Sequence, residues 1–114
     1  MTRRARAERG SVTAELALGL LTVGVLLLLA GWLAAAGTAQ VRVQLAAGAA
    51  ARALARGEAP GAVQQRVAAA VGEGARYERT DASGLVRVRV TAPLPVPVLD
   101  AALEVSGEAV APLE

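Results

Sequence analysis

The sequence predicts an α+β protein: one long apolar N-terminal helix carrying a small domain of a second helix and a three-stranded antiparallel sheet. Three observations lead there. Residues 16–41, LALGLLTVGVLLLLAGWLAAAGTAQV, contain no charge over 26 positions. Residues 60–73 place apolar side chains at helical spacing, and from residue 85 the apolar period falls to two in LVRVRVT. At 114 residues the chain has room for one small domain beside the apolar run.

Charge is distributed unevenly. Arg3, Arg4, Arg6 and Arg9 against Glu8 leave residues 1–10 at +3, while residues 11–114 hold eight arginines against nine acids, a net of −1. The basic character belongs to a leader, and a nucleic-acid footprint on the folded part is not expected. Residues 11–41 follow as a transmembrane helix. The uncharged stretch alone extends about 39 Å as a helix, more than the roughly 30 Å hydrocarbon core of a bilayer. Four arginines before the span against Arg42, Arg52 and Arg56 after it favour a cytoplasmic N-terminus and an extracytoplasmic C-terminal domain.

The helix is expected to run from about Val12 to Arg56, with 42–59 as its extension outside the membrane and Gly57 and Pro60 as stop signals. On that extension Arg42, Arg52 and Arg56 fall in an arc of about 80°, and Val43, Ala47, Ala50, Ala51 and Leu54 form the packing face. Residues 60–114 form the small domain. Val63, Val67, Ala70 and Val71 mark the inner face of its short helix. Val86, Val88 and Val90 alternate with Arg87 and Arg89 on a half-buried strand, and ARYERT pairs with it through a type I turn at Asp81-Ala82-Ser83-Gly84. PLPVPV, residues 93–98, reads as an extended edge connection because proline donates no ladder bond. In LEVSGEAVA, Leu103, Val105 and Ala109 face one way and Glu104, Ser106 and Glu108 the other, placing Glu104 and Glu108 across from Arg87 and Arg89 on a third strand.

Cysteine, histidine and lysine are absent, and Trp32 and Tyr77 are the only aromatics. Disulfides, thiolate chemistry and the usual transition-metal ligand sets lose their main residues, and no catalytic residue, cofactor or metal site is expected. Ser83, Ser106, Asp81 and Asp100 read as turn and strand-edge residues rather than a catalytic set.

One carboxylate is out of place: Glu15 stands at the mouth of the apolar run. Ser11 and Glu15 are four residues apart, whereas a capping box needs three, leaving Ser11 to cap the helix alone. A secretory signal peptide, cut near Ala34-Ala35-Ala36 or Gly37-Thr38-Ala39, is a second alternative, although its apolar core is usually about 7–15 residues. An uncleaved single-span accessory protein is a third.

The basic leader ending in Gly10, the Gly10-Ser11 junction, Glu15 as the fifth residue after it and the apolar helix together resemble the class III signal of type IV prepilins. With ARALARGE, the VRVRV strand and the VSGEAVAP tail, the chain resembles the TadE-like minor pilins, or pseudopilins, of tight-adherence (Flp) pilus systems. The resemblance implies a pilin-like fold and a membrane prepilin peptidase that removes residues 1–10, with Gly10 before the cut and Ser11 as the new N-terminus. It further implies that Glu15 serves assembly, and that other pilin subunits, the pilus assembly platform and membrane lipid are partners in a structure for adhesion or secretion. Two features depart from the major pilin: Leu16 follows Glu15 where that pattern has tyrosine, and a domain of some 70 residues follows the span.

Physical chemistry adds a role for Glu15. An acid buried mid-span costs about 2.5–3.5 kcal/mol on insertion scales, so it persists where it finds a partner. Cleavage after Gly10 creates one, an amino group with a reference pKa near 8.

Overall fold

The computed structural model describes residues 3–96 and 98–114, with side chains from residue 6 onward. Helix α1 (Arg3–Ala55) is followed by α2 (Pro60–Val71) and strands β1 (Arg76–Ala82), β2 (Leu85–Pro95) and β3 (Ala102–Pro112). The strands form one antiparallel sheet in the order β1-β2-β3. A long apolar N-terminal helix followed by a small antiparallel sheet is a pilin-like architecture. By contacts the chain divides into two units, Met1–Leu33 and Ala34–Glu114.

Helix α1 begins at Arg3 rather than near Val12. Alanine, arginine and glutamate are strong helix formers, so the leader continues the helix, and one glycine costs only about 1 kcal/mol within it. Ser11 accordingly lies inside α1 and is not its N-cap. The C-terminal end is closed by a Schellman motif: the Glu58 N–H donates to the Ala53 carbonyl and the Gly57 N–H to the Leu54 carbonyl. Gly57 takes φ +84°, the left-handed value this cap needs. Glu58 then receives Arg66 at 2.9 Å and Arg56 at 3.5 Å, tying the turn to α2.

The core lies in the Ala34–Glu114 unit. From α1 it takes Val43, Ala46, Ala47, Ala50, Ala51, Ala53, Leu54 and Ala55, which include the whole expected packing face. Arg42, Arg52 and Arg56 are exposed, as the polar side of that helix requires. Val63 and Val67 of α2 are buried and Val71 is partly so, but Ala70 is exposed. Ala70 lies in the last turn of α2, past the two buried valines. The strand alternation holds: Val86, Val88 and Val90 are fully buried while Arg87 and Arg89 face out.

Three sheet details differ from expectation. The β1–β2 turn is a two-residue loop of Ser83 and Gly84, because Ala82 pairs with Leu85. Both loop residues have positive φ, +54° and +75°, as a type I′ hairpin turn requires. Type I would splay the strands against their right-handed twist. Second, Pro93-Leu94-Pro95 belong to β2 and pair with β3. The bonds Val96 N–H to Ala101 C=O and Leu113 N–H to Gly84 C=O bracket the β2–β3 ladder. Even-numbered residues of β2 therefore point their backbone polar groups at β3, and Pro93 and Pro95 turn their missing donors toward the side where β1 has ended at Arg76. Third, Glu104 lies opposite Pro93 rather than an arginine. Glu108 alone serves both arginines, at 3.3 Å from Arg87 and 3.6 Å from Arg89. These exposed pairs contribute about 0.2–1 kcal/mol each. Leu103 shares the face of Val105 and Ala109, as expected, but lies past the buried core and is exposed.

Strand β3 meets α1 more closely than side chains allow elsewhere. A Cβ on Gly107 would lie 2.7–2.8 Å from backbone atoms of Val43 and Gln44. Glycine is required here because the helix backbone occupies the volume of a side chain. Alongside it, Gln40 Nε2 donates to the Ser106 carbonyl at 2.9 Å and Gln44 Nε2 to the Glu108 carbonyl at 2.7 Å, while the Glu108 N–H donates back to Gln44 Oε1. These even-numbered β3 residues turn their backbone groups away from β2, so the two glutamines cover part of an otherwise open sheet edge. Gly107→Val is expected to lower stability by about 1–3 kcal/mol through overpacking, read as a lower denaturation midpoint of the full chain in detergent. Gly61→Ala, on an open face of α2, should leave that midpoint unchanged or raise it.

Candidate functional site

The candidate site is the N-terminal half of α1. Its chemistry is carried by Gly10, Ser11 and Glu15, and its bulk by the apolar residues that follow. The leader's helical course places Ser11 and Glu15 one turn apart on one side of the helix, both exposed. Thr13 Oγ1 donates to the Arg9 carbonyl and Thr22 Oγ1 to the Leu18 carbonyl, so these hydroxyls satisfy themselves within the helix. No side chain of the domain is bonded to Glu15 among the described residues. The structure brings Ser11 and Glu15 together by helical spacing alone.

Gly10 is informative because the fold gives it no task. It sits in ordinary helix, and an added Cβ would meet nothing within 4 Å. Gly19, Gly24, Gly31 and Gly37 are equally open. In Gly57, Gly84 and Gly107, by contrast, a positive φ or a close backbone explains the residue. Glycine weakens a helix interior by about 1 kcal/mol relative to alanine, and no close contact among the described residues requires glycine at these helical positions.

The run from Leu16 to Leu33 leaves Leu18, Leu20, Leu21, Leu26, Leu27 and Leu29 roughly half exposed or more. α1 is the one helix among the described residues long and apolar enough to cross a membrane, and its most apolar window is wholly unburied within the chain. A surface helix of a water-soluble domain shows an apolar stripe, whereas this helix is apolar all round. Such surface is consistent with a membrane span or a signal-anchor.

The sheet presents no comparable chemistry. Ser83 lies in the hairpin turn, Ser106 on β3 with its carbonyl taken by Gln40, and Asp100 in the β2–β3 connection. Asp81 forms a bidentate pair with Arg79, at 2.7 and 2.9 Å. These side chains share the face of Val86 and Val88 because they lie directly opposite those residues. The hydrogen bonds from Arg79 hold the Asp81 carboxyl below its ordinary value, against a smaller opposing effect of desolvation. The same hydrogen bond holds the Arg79 guanidinium above its own. Among the described residues no three acids, histidines or cysteines gather where a metal ion could be held.

Comparison with protein-family models, with curated proteins and with solved structures finds no match to this chain. Gln40, Gln44 and Gly107, which hold the domain to the helix, were not singled out from sequence. Their signals are two glutamines one turn apart in an Ala-rich helix and a glycine inside an alternating strand.

The Arg79–Asp81 pair gives a pH dependence of defined sign. A carboxyl lowered in the folded state contributes stability above its unfolded pKa, near 3.9, and that contribution is lost as pH falls through the folded value. The Asp81 carboxyl is expected to titrate below the ordinary range in a carbon-13 NMR titration. Arg79→Gln should return it upward, with little change in stability at neutral pH.

Proposed function

We propose that this chain is a membrane-anchored minor pilin, or pseudopilin, of the TadE-like type. A prepilin peptidase cuts on the cytoplasmic side between Gly10 and Ser11, and the protein acts in assembly of a tight-adherence pilus. Its role is structural, without catalysis or cofactor. The observation that carries this reading is the unburied apolar helix whose glycine at the leader junction no feature of the fold requires. The pilin-like arrangement of helix and sheet supports it.

In this reading the leader has two tasks. Its arginines hold the N-terminus at the cytoplasmic face before processing, and its removal exposes the Ser11 amino group. The charge of Glu15 then has a partner in the amino terminus of a neighbouring subunit. Pairing of the two inside a lipid or protein environment sets the axial register of otherwise featureless apolar helices. Gly19, Gly24, Gly31 and Gly37 let those helices approach closely. The domain beyond Val41 lies outside the cytoplasm and presents its sheet to other assembly components.

The signal-peptide alternative places its cut among residues that are less accessible: Ala36 and Ala39 are half-buried, whereas Gly10 and Ser11 are exposed. N-terminal sequencing of the protein recovered from membranes of cells carrying a prepilin peptidase tests the reading. Ser11 is the expected first residue, while Gly37 or Gln40, or an intact leader, would overturn it. Gly10→Val is expected to abolish processing. Glu15→Val should be processed normally yet incorporated poorly, seen as loss of co-purification with other pilus components; wild-type incorporation of that variant would remove the pairing role.

A further inference from the structure

The Ala34–Glu114 unit divides its charge between its two layers. Residues 34–71, which hold the C-terminal part of α1 and all of α2, carry Arg42, Arg52, Arg56 and Arg66 against Glu58 alone, a net of +3. Residues 72–114, which hold the sheet, carry four arginines against seven acids, a net of −3. Charges left without an ion pair follow the same division. Among the described residues no carboxylate pairs with Arg42 or Arg52 on the helix, and no arginine pairs with Glu78, Glu104 or Glu114 on the sheet side; Arg76 is the exception.

Each layer turns one such surface outward. Val43, Ala47, Ala50 and Leu54 belong to the core, and at 3.6 residues per turn Arg42, Leu45, Ala49, Arg52 and Arg56 fall in an arc of about 80° on the opposite side of α1. All five are exposed, Leu45 at 68%. On the sheet, Glu78 and Glu108 stand opposite Arg89, and Thr80 and Val110 opposite Arg87, so they share the outer face with these arginines. Arg87 and Arg89 are already bound to Glu108, which leaves Glu78 open. Val110 is 50% exposed on the same face. Both outward surfaces thus set an apolar residue beside charge, basic on the helix and with an open acid on the sheet.

Within the unit α1 and β3 run in the same direction and in step. Gln40 reaches Ser106, Gln44 reaches Glu108, and the Ala55 carbonyl accepts the Glu114 N–H. Four helical residues advance about 6 Å and two strand residues about 6.6 Å, so each helical turn matches one strand repeat. On that scale Arg42 is within about 3 Å of the level of Glu78 and Glu108. Leu45 and Ala49 bracket the level of Val110, and Arg56 is level with Glu114. Two copies inserted from the same side of one bilayer place equal residues at equal height, so these matches hold between neighbours as well. Base meets acid at both ends of such a contact, and apolar meets apolar between them.

We infer, on the membrane-spanning reading above, that the outward stripe of α1 docks on the outer sheet face of a second copy standing beside it in the same membrane. Arg42 pairs with the second copy's Glu78 and Glu108, Leu45 and Ala49 cover its Val110, and Arg56 meets its Glu114. Like faces do not pair, because two helical stripes would oppose arginine to arginine. The contact joins different surfaces, so each copy keeps one of each free and further copies add head to tail.

The test uses the full chain, which contains no native cysteine, in membranes of expressing cells. Leu45→Cys and Val110→Cys are made separately and together. Mild oxidation is expected to link the two single variants into a dimer when they are co-expressed, and to give a ladder of multimers from the double variant. Each single variant alone should stay monomeric. Arg42→Glu in the Leu45→Cys chain should remove most of the link, since Arg42 is exposed and the fold does not depend on it; an undiminished link overturns the charge match. Leu26→Cys, probed with a membrane-impermeant maleimide, reports on the span separately. Leu26 shielded with no link between positions 45 and 110 overturns the docking and leaves the span intact. Linking of Leu45→Cys chains to one another overturns it in favour of a helix-to-helix contact. Labelling at Leu26 overturns the spanning reading, and with it the equal heights on which the docking depends.

Discussion

The close approach of α1 to β3 is the contact on which the rest of the domain depends. Around Gly107 the strand comes near enough to touch the helix backbone at Val43 and Gln44, leaving no room for a side chain between them. The helix contributes mainly alanines on this side, so its axis can lie close to the sheet. Such a seam gains little per residue, because alanine offers small apolar area. It compensates through length, extending from the glutamines at one end to the Ala55–Glu114 bond at the other.

The seam also answers a problem of exposure. A three-stranded sheet has two edges, and an uncovered edge pairs readily with other chains. Gln40 and Gln44 supply donors and an acceptor to the outer edge of β3, in a register set by the match of one helical turn to one strand repeat. Pro93 and Pro95 extend the hairpin without spoiling the β2–β3 ladder, since their missing donors face the side that β1 has left. Charge has a lesser part here. The Arg87–Glu108–Arg89 cluster and the Arg79–Asp81 pair are substantially exposed, so they refine register more than they hold the domain together.

One helix thus carries two kinds of surface. Toward its C-terminal end alanine and valine face protein on one side and arginine faces water on the other. Toward its N-terminal end leucine covers all sides.

Much of this was legible in the residues. The uncharged run, the alanine face of the extension, the Gly57 stop and the valine–arginine alternation each follow from local composition and a period, and local rules decide them. The spacing of Gly10, Ser11 and Glu15 is likewise visible in the residues, and in the structure an added Cβ at Gly10 would meet nothing within 4 Å. What the sequence did not reveal was non-local. The helical leader depended on the preferences of α1 as a whole rather than on Ser11, and the type I′ turn on the twist of two paired strands. Whether Glu104 or Glu108 meets arginine depended on register, and the need for Gly107 on a helix more than sixty residues away in the chain. Period and propensity are properties of neighbours in sequence; register and close approach are decided only when distant segments share a surface.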